Sequence, residues 1–546
     1  MEQSSQPSSS TKPDYRYSTL ENSQIRILTL LAGGFDDPLT GELTHRQFVP
    51  SRSEVPKYEA ISYAWGDQTD MEPGSCPASS EATKSALSFT KRDWLAIQKL
   101  FARPWFKRLW VRQEIILAKS SVVIFAGYSS TAWSRFGQAA GCIEVKIALG
   151  KTNSPILSRF VSDISNIVAL YRTPLFKHPV ALLNFTRSCQ CKDERDRVYS
   201  ILGLIRPSYK IYPNYRQNIT DVCKEFMLKI YREDGRLDIL SFCDVTAEPS
   251  WVPNISGPNP AHHFWRNFAT GYSQAHLNSI RKDTIEVNGI EAGALSSLVG
   301  HIPKGCSENE LKRRVKRILV KVLGWDPGSW EEEAAVSLTQ TLLGGHWIEN
   351  TNHRHDPQLR GAVSVLKNWV IEDVGRTYHE NAFLDMLVTW AMINSLPGWS
   401  VYQATNKDFG ICSSLCIPGD QIFVVFGCKD PVMLRKSEGF GYYRIVGPSY
   451  IYHLSCGQAV LGKHAVGLSF VNSFDNPDLI FEAENGLRDN LHVQCVDHPY
   501  KIEDDHPLWH RRKSATSSAS SSIRADSSCL EVLRKRGIHI EQTLLK

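Results

Sequence analysis

Apolar residues recur at helical spacing along one stretch of the first third of the chain. Pro104 suits the first turn of a helix, where no backbone N–H is required. The positions that follow it on one side of a helix are Phe106, Leu109, Trp110, Gln113, Ile116 and Leu117. All but Gln113 are apolar, so the pattern predicts one continuous helix from Pro104 to Leu117.

Glu114 is unusual on this predicted helix because its neighbours three and four positions away are all apolar. No lysine or arginine stands where an intrahelical ion pair would require it. Such a carboxylate either points into solvent or joins a structural ion pair, or it projects into a cleft. In a cleft, desolvation would suit it to acid, base or charge-stabilising chemistry, and the sequence leaves these alternatives open.

Strand-like runs surround this helix and indicate an α/β fold. Residues 25–31 and 58–65 predict strands, and the second ends at Gly66-Asp67. A strand that ends in Gly-Asp is either a ligand site of an open α/β sheet or a tight turn with an aspartate cap. Residues 121–127 form a short continuous apolar run, which predicts a strand buried on both faces.

A charged segment precedes the next helical pattern. Val198, Ile201, Leu202 and Ile205 have helical spacing. Asp193 is placed to cap that helix and to pair with Arg197 four residues later. The simplest interpretation of the charged residues is structural, and they are Asp193, Arg195, Asp196 and Arg197.

The second half changes from helical to strand periodicity near Gly410. Residues 311–323 predict a solvated, basic amphipathic helix, and residues 421–427, 431–435, 442–446 and 450–454 follow one another at hairpin spacing. The predicted organisation is a disordered N-terminus (1–15), an α/β domain (16–150), a helical extension (151–254), a mainly helical middle (255–400), a small β module (401–500) and a basic Ser-rich tail (501–546).

Composition excludes several classes of protein. The 546-residue chain has a net charge of only +5 and no basic stripe interleaved with aromatics, which argues against nucleic-acid binding. No apolar run approaches the roughly 18 residues that span a bilayer. The polar N-terminus lacks a signal peptide, and the 13 cysteines are scattered without paired zinc-site spacing. We therefore expect a cytoplasmic protein with reduced thiols, no metal and no membrane contact.

Several segments resemble fungal heterokaryon-incompatibility (HET domain) proteins, in the order of that family. Residues 58–67 resemble its opening motif, and residues 193–204 resemble the run that usually follows the domain. Between them, residues 103–115 resemble its central motif, through Arg103, Trp105, Trp110, Gln113 and Glu114. The family normally carries a long insert between its opening motif and its central motif. That insert is missing here, so the domain is shortened.

The resemblance implies a role in non-self recognition and programmed cell death, through a protein partner or self-association. It also implies a fold similar to TIR domains, a small sheet flanked by helices, some of which cleave NAD. Glu114 would then be the catalytic carboxylate that stabilises the oxocarbenium-like ribose. The substrate-binding residues would be Ser62, Tyr63, Trp65, Asp67 and Trp110. The shortened domain leaves a further alternative, an inactive, degenerate paralogue.

Overall fold

The computed structural model describes most of the chain between residues 89 and 455, together with short segments outside that range. The described residues are 24–30, 41–47, 89–118, 122–126, 129–148, 161–172, 178–256, 267, 269–270, 273–275, 277–281, 283–347, 357–371, 382–437, 439, 441–455, 459, 469–471, 480–482, 488–490, 534 and 538–546. The contacts divide the chain into two units, residues 1–63 and residues 64–546.

The first unit contains an antiparallel hairpin. Strand β1 (Gln24–Leu30) pairs with β2 (Gly41–Gln47) from Gln24↔Gln47 to Leu30↔Gly41. The strand predicted at residues 25–31 is therefore confirmed. The strand predicted at residues 58–65 lies outside the described residues, and so do the candidate ligand residues Ser62, Tyr63, Trp65 and Asp67.

Helices form most of the described residues from 89 to 242 and from 308 to 395, and one short helix follows at residues 452–455. They are α1 (Lys91–Phe101), α2 (Trp110–Leu117), α3 (Trp133–Ala148), α4 (Val161–Arg172), α5 (Pro179–Thr186), α6 (Asp196–Tyr199), α7 (Ile219–Asp234), α8 (Glu308–Leu323), α9 (Glu332–Leu342), α10 (Leu359–Ile371), α11 (Ala382–Ser395) and α12 (Tyr452–Ser455). Helix α7 ends at Gly235, whose φ of +65° is readily adopted only by glycine.

The strands of the second unit form one large sheet and two small ones. They are β3 (Val123–Ala126), β4 (Ser129–Ala132), β5 (Leu277–Ile280), β6 (Ile285–His301), β7 (Trp399–Ala404), β8 (Phe409–Ser413), β9 (Gln421–Val425), β10 (Val432–Lys436), β11 (Tyr443–Ile451), β12 (Ser469–Val471), β13 (Ile480–Glu482), β14 (Arg488–Asn490) and β15 (Glu541–Leu545). Strands β3 and β4 form a hairpin, and β12, β13 and β14 form a three-stranded sheet.

The large sheet has the order β10-β9-β6-β15-β11-β8-β7, with β5 beside β6. Additional pairings join β10 to β11 and β6 to β7. The strands β6, β9, β10, β11, β8 and β7 therefore pair in a closed ring, which leaves few strand edges unpaired. The result is a mixed α/β protein with an antiparallel multi-strand sheet.

Strand β6 corrects the predicted β module, because its 17 residues come from the segment expected to be mainly helical. Strand β15 likewise comes from the predicted tail and pairs with β6 from Glu541↔Gly289 to Leu545↔Ile285. The module is thus not confined to residues 401–500. The glycines of β6 concealed it, since glycine in a run of this kind normally indicates a turn.

Those glycines mark close approaches within the sheet. A Cβ on Gly289 would lie 2.4 Å from Phe423 Cε1 and 2.6 Å from the backbone oxygen of Val424. Gly293 has a φ of +123° where the register against β9 shifts. The glycines of β6 suggest a loop in the sequence, but in the structure they allow the neighbouring strands to pack closely.

Helices α8, α9, α10 and α11 share one hydrophobic core with the sheet residues Trp399, Phe409 and Tyr450. The predicted helix at residues 311–323 is confirmed within α8, but its basic face is not wholly solvated. Lys312 is buried, and its Nζ lies 2.6 Å from Asp385 Oδ2 and 5.2 Å from the Trp369 ring. A paired, stacked ammonium can be buried because both contacts offset its lost hydration.

The strand predicted at residues 121–127 is present as β3, but it is not buried on both faces. Strand β3 pairs antiparallel with β4, and Phe125 is 76% exposed. Only Val122 and Ile124 pack against the core of α1, α3 and α4. One covered face makes every second side chain solvent-facing, so the described residues show a hairpin here and not an inner strand of a TIR-like sheet.

We predict that Gly289→Ala destabilises the protein by roughly 1–3 kcal/mol, because the added methyl group meets a ring and a backbone oxygen that must move. Gly141→Ala in α3 is the matched control, since a Cβ there has no atom within 4 Å. It should be neutral or stabilise by up to about 1 kcal/mol, as alanine favours helix. Urea unfolding followed by circular dichroism measures both, and equal effects would contradict the prediction.

Candidate functional site

The central motif does not form the single helix that its spacing predicts. Residues Pro104–Lys107 form a short 3₁₀ helix, Arg108 is extended with a ψ of 136°, and α2 begins at Trp110. The backbone N–H of Leu109 donates to Gln190 O at 3.0 Å, and that of Gln190 donates to Lys107 O at 2.6 Å. This bridge to a distant segment replaces helical hydrogen bonds and interrupts the helix.

The break turns a different face of α2 toward the core. The buried residues are Val111, Arg112 and Ile115, whereas Trp110 and Gln113 are half-buried. The predicted spacing assumed one helix that continues from Phe106 without a break. It therefore assigned the wrong face of α2 to the core. Trp105 is also half-buried, and its ring lies 5.1 Å from that of Phe106 in an edge-on arrangement.

Arg112 is a buried polar residue that the apolar pattern of the sequence does not single out. Its guanidinium is almost completely buried, with Nε donating to Cys189 Sγ at 3.1 Å and Nη2 to Asn166 Oδ1 at 2.6 Å. Asn166 Nδ2 in turn donates to Phe106 O at 2.9 Å. Arg112 lies three positions before the buried Ile115, on the same face of the helix. That spacing was the one sequence signal that Arg112 faces the core.

Gln113 connects the central motif to the segment around residues 193–204. A Cβ on Gly203 would lie 2.1 Å from Gln113 Nε2 and 2.9 Å from its Cδ. Gln113 Oε1 is buried without a hydrogen-bond partner in the structure described above. We call Arg112, Gln113, Asn166, Cys189 and Gly203 the motif junction, because these residues hold both motif segments and α4 together.

The charged segment pairs differently from the prediction. Asp193 does not pair with Arg197, since its Oδ1 and Oδ2 accept from Nε and Nη2 of Arg195 at 2.9 and 2.7 Å. The expected pair needs a helix that starts at residue 193, whereas α6 starts at Asp196. The hydrogen bonds from Arg195 lower the pKa of Asp193.

Each cation of this segment also holds a separate loop. Arg195 Nη1 donates to the backbone oxygens of Tyr215 and Gln217. Arg197 donates to Ser256 Oγ at 3.0 Å through Nε and to Arg187 O at 3.2 Å through Nη1. These contacts join the charged segment to the loops at residues 215–217 and 256 and to the end of α5.

Asp196 accepts from Tyr215 OH at 2.6 Å. Burial and this hydrogen bond raise the pKa of Tyr215. A cavity of about 590 Å³ opens beside the charged segment, lined by residues 192–196 with Asn218 and Ile219. Its lining carries both signs of charge and is formed largely by residues that already serve the local structure.

Glu114 projects from α2 into solvent, with Leu117 also exposed one turn later. A desolvated carboxylate in a cleft is therefore not what the described residues form. Its catalytic role stays a prediction, because the strand that would complete the site lies outside the described residues. Trp110, the one predicted substrate-binding residue that is described, packs instead against the core that contains Val198 and Leu202.

The described residues contain no cluster of three or more histidine, cysteine, aspartate or glutamate side chains that could hold a metal ion. Among those same residues, no helix has the length and apolar character needed to cross a membrane.

Comparison with known proteins supports, at most, the class of heterokaryon-incompatibility proteins. The chain is similar to heterokaryon incompatibility protein 6, OR allele, of Neurospora crassa, at 21% identity over 435 residues. The match covers 64% of this chain and 63% of that protein, so the similarity spans less than two thirds of the relative's length. No family model and no solved structure matches the chain.

We predict that Gly203→Ala destabilises the protein by roughly 1–3 kcal/mol, because its Cβ would displace the Gln113 amide. The double variant Gln113→Ala/Gly203→Ala should lose less than the sum of the two single variants, since a short side chain at position 113 leaves room for the methyl group. A urea-unfolding double-mutant cycle measures this. Strict additivity would show that the two residues do not meet.

Proposed function

We propose that this chain is a heterokaryon-incompatibility-type protein that acts in non-self recognition and leads to programmed cell death. The observation that carries the proposal is its similarity, over 435 residues, to the Neurospora protein of that name. The order of the three motif-like segments agrees with it, although the insert between the first two is missing.

We further propose that it acts by binding a protein partner or by self-association. The polar residues of the described motifs support this, because most of them serve internal contacts. The guanidinium of Arg112 donates hydrogen bonds to Cys189 and Asn166. The guanidinium of Arg195 donates to Asp193 and to two backbone oxygens. Polar side chains whose donors are used in internal hydrogen bonds stabilise the fold. Few polar side chains of these motifs therefore remain to contact a substrate.

The test is expression in a filamentous fungus across several genetic backgrounds. Wild-type chain should reduce growth in at least one background, and Arg112→Met should abolish the effect because it removes two hydrogen bonds of a buried cation. Arg216→Met removes an exposed cation and should leave toxicity unchanged. Absence of a growth defect in every background would contradict the proposal and favour an inactive paralogue.

A second proposal is NAD cleavage with Glu114 as the key carboxylate. The favouring observation is that Glu114 is exposed on α2 and therefore accessible to a ligand. In this reaction the bond between ribose and nicotinamide breaks, nicotinamide leaves with the electron pair, water adds to the ribose carbon, and the proton that water loses is released to solvent. The carboxylate would stabilise the positive charge that develops on the sugar.

Incubation of the purified chain with NAD tests this second proposal, with nicotinamide measured by chromatography. Glu114→Gln should abolish release, because the neutral amide cannot stabilise a cation as a carboxylate does. Glu194→Gln, which changes another exposed glutamate, should retain it. No nicotinamide from the wild-type chain, or equal release by Glu114→Gln, would show that Glu114 performs no such chemistry.

A further inference from the structure

The turn between helices α8 and α9 presents a tryptophan side chain to solvent. Trp325 is 73% exposed and lies two residues beyond Leu323, where α8 ends. Tryptophan is highly buried on average, and it is enriched where proteins contact one another because its ring is large and its indole N–H is polar. The exposure of Trp325 therefore marks this turn as a candidate contact surface.

Hydrogen bonds on both sides of Trp325 fix the conformation of the turn. Trp330 Nε1 donates to Gly324 O at 3.1 Å, and Gly328 N donates to Asp326 Oδ1 at 2.9 Å. Trp330 itself is buried in the core that α8, α9, α10 and α11 share. The backbone that carries Trp325 is thus held in place before any partner arrives. A ring presented on such a preorganised turn loses little conformational entropy when it is buried by a partner.

Charged side chains of opposite sign lie on the two sides of this turn. On the α8 side, Arg317 is exposed, and its guanidinium has no hydrogen bond or ion pair within the described residues. Lys321 differs, because its Nζ donates to two backbone oxygens of β6. On the α9 side, Glu331 and Glu332 are exposed, and their carboxylates have no partner in the part of the chain that the structure describes. Glutamates there stabilise the N-terminal end of α9 through its dipole, a role that leaves their oxygens available.

We call this surface the α8–α9 corner, and its residues are Arg317, Trp325, Glu331 and Glu332. We propose that it binds the same corner of a second copy of this chain, which rests on the self-association proposed above and names its surface. A cation on one side of an aromatic ring and anions on the other become complementary to themselves after a half turn about the ring. In a two-fold dimer each contact occurs twice, so each Arg317 meets the glutamates of the other copy while the two Trp325 rings pack at the centre. A different protein would have to supply the matching charges, whereas this chain carries both halves.

Sedimentation equilibrium of the full chain over a range of concentrations tests the proposal. The wild-type chain should form a concentration-dependent dimer, which weakens as added salt screens the ion pairs. Trp325→Ala should weaken dimerisation at least about tenfold, because a central aromatic residue carries much of the energy of an interface. Phe125→Ala is the matched control, since it removes a 76% exposed ring outside the corner, and its dimer should be unchanged. The urea-unfolding midpoints of both variants should stay at the wild-type value, as both rings are at the surface.

Charge reversal tests the pairing between the two copies. Arg317→Glu and the double variant Glu331→Arg/Glu332→Arg should each be monomeric, because like charges then meet twice in the dimer. An equimolar mixture of these two variants should form a mixed dimer, since every contact in it again joins a cation to an anion. A fluorescent label on one variant reports its mass in the mixture. Arg216→Glu, which reverses an exposed charge outside the corner, should dimerise as the wild-type chain does.

A full chain that stays monomeric at every concentration overturns the proposal, and a different protein then becomes the candidate occupant of the corner. A dimer that is unaffected by Trp325→Ala and by both charge reversals forms elsewhere on the molecule and overturns it as well. So does a mixture of the reversed variants that stays monomeric. The growth assay separates this inference from the proposed role in incompatibility. A monomeric chain that still reduces growth contradicts only the corner, and a dimeric chain that never reduces growth contradicts only that role.

Discussion

The buried guanidinium of Arg112 is the interaction on which the organisation of the motif segments depends. A cation removed from water is tolerated only when its donors find acceptors, and here they are Cys189 Sγ and Asn166 Oδ1. Those acceptors come from two different parts of the chain. Helix α2, helix α4 and the segment before α6 must therefore be in place together, and Gln113 on Gly203 completes the motif junction.

The same reasoning explains why the motif is interrupted. An uninterrupted helix from Pro104 would make the Leu109 amide donate within the helix, whereas it donates to Gln190. The exchange of a local hydrogen bond for a distant one costs little, because both are backbone pairs. It turns α2 so that Arg112 faces inward and Glu114 faces solvent, which gives the two neighbouring polar residues opposite roles.

Local pattern predicted the elements whose burial follows a simple period. Helix α8 and strands β9 and β10 occur where apolar spacing and turn residues place them. The break at Arg108 could not be predicted, because its cause is a partner more than eighty residues away. Strand β6 was missed for a similar reason, since the need for Gly289 becomes visible only when Phe423 lies against it.

The candidate site was predictable to a lesser degree. Sequence spacing identified Gln113 and the Asp193–Arg197 segment as structurally important, but it assigned the wrong partner to Asp193. Side-chain pairing depends on where a helix begins, and element boundaries are the weakest part of any inference from sequence.

Hydrogen exchange at the motif junction shows whether Arg112 couples the two motif segments. If Arg112 holds the two motif segments in one cooperative unit, Arg112→Met should accelerate amide exchange in peptides covering both residues 107–112 and residues 188–192, by a similar factor. Peptides from strand β9 should keep their protection. Faster exchange at residues 107–112 alone, with residues 188–192 protected as in the wild-type chain, would show that Arg112 does not couple the two segments.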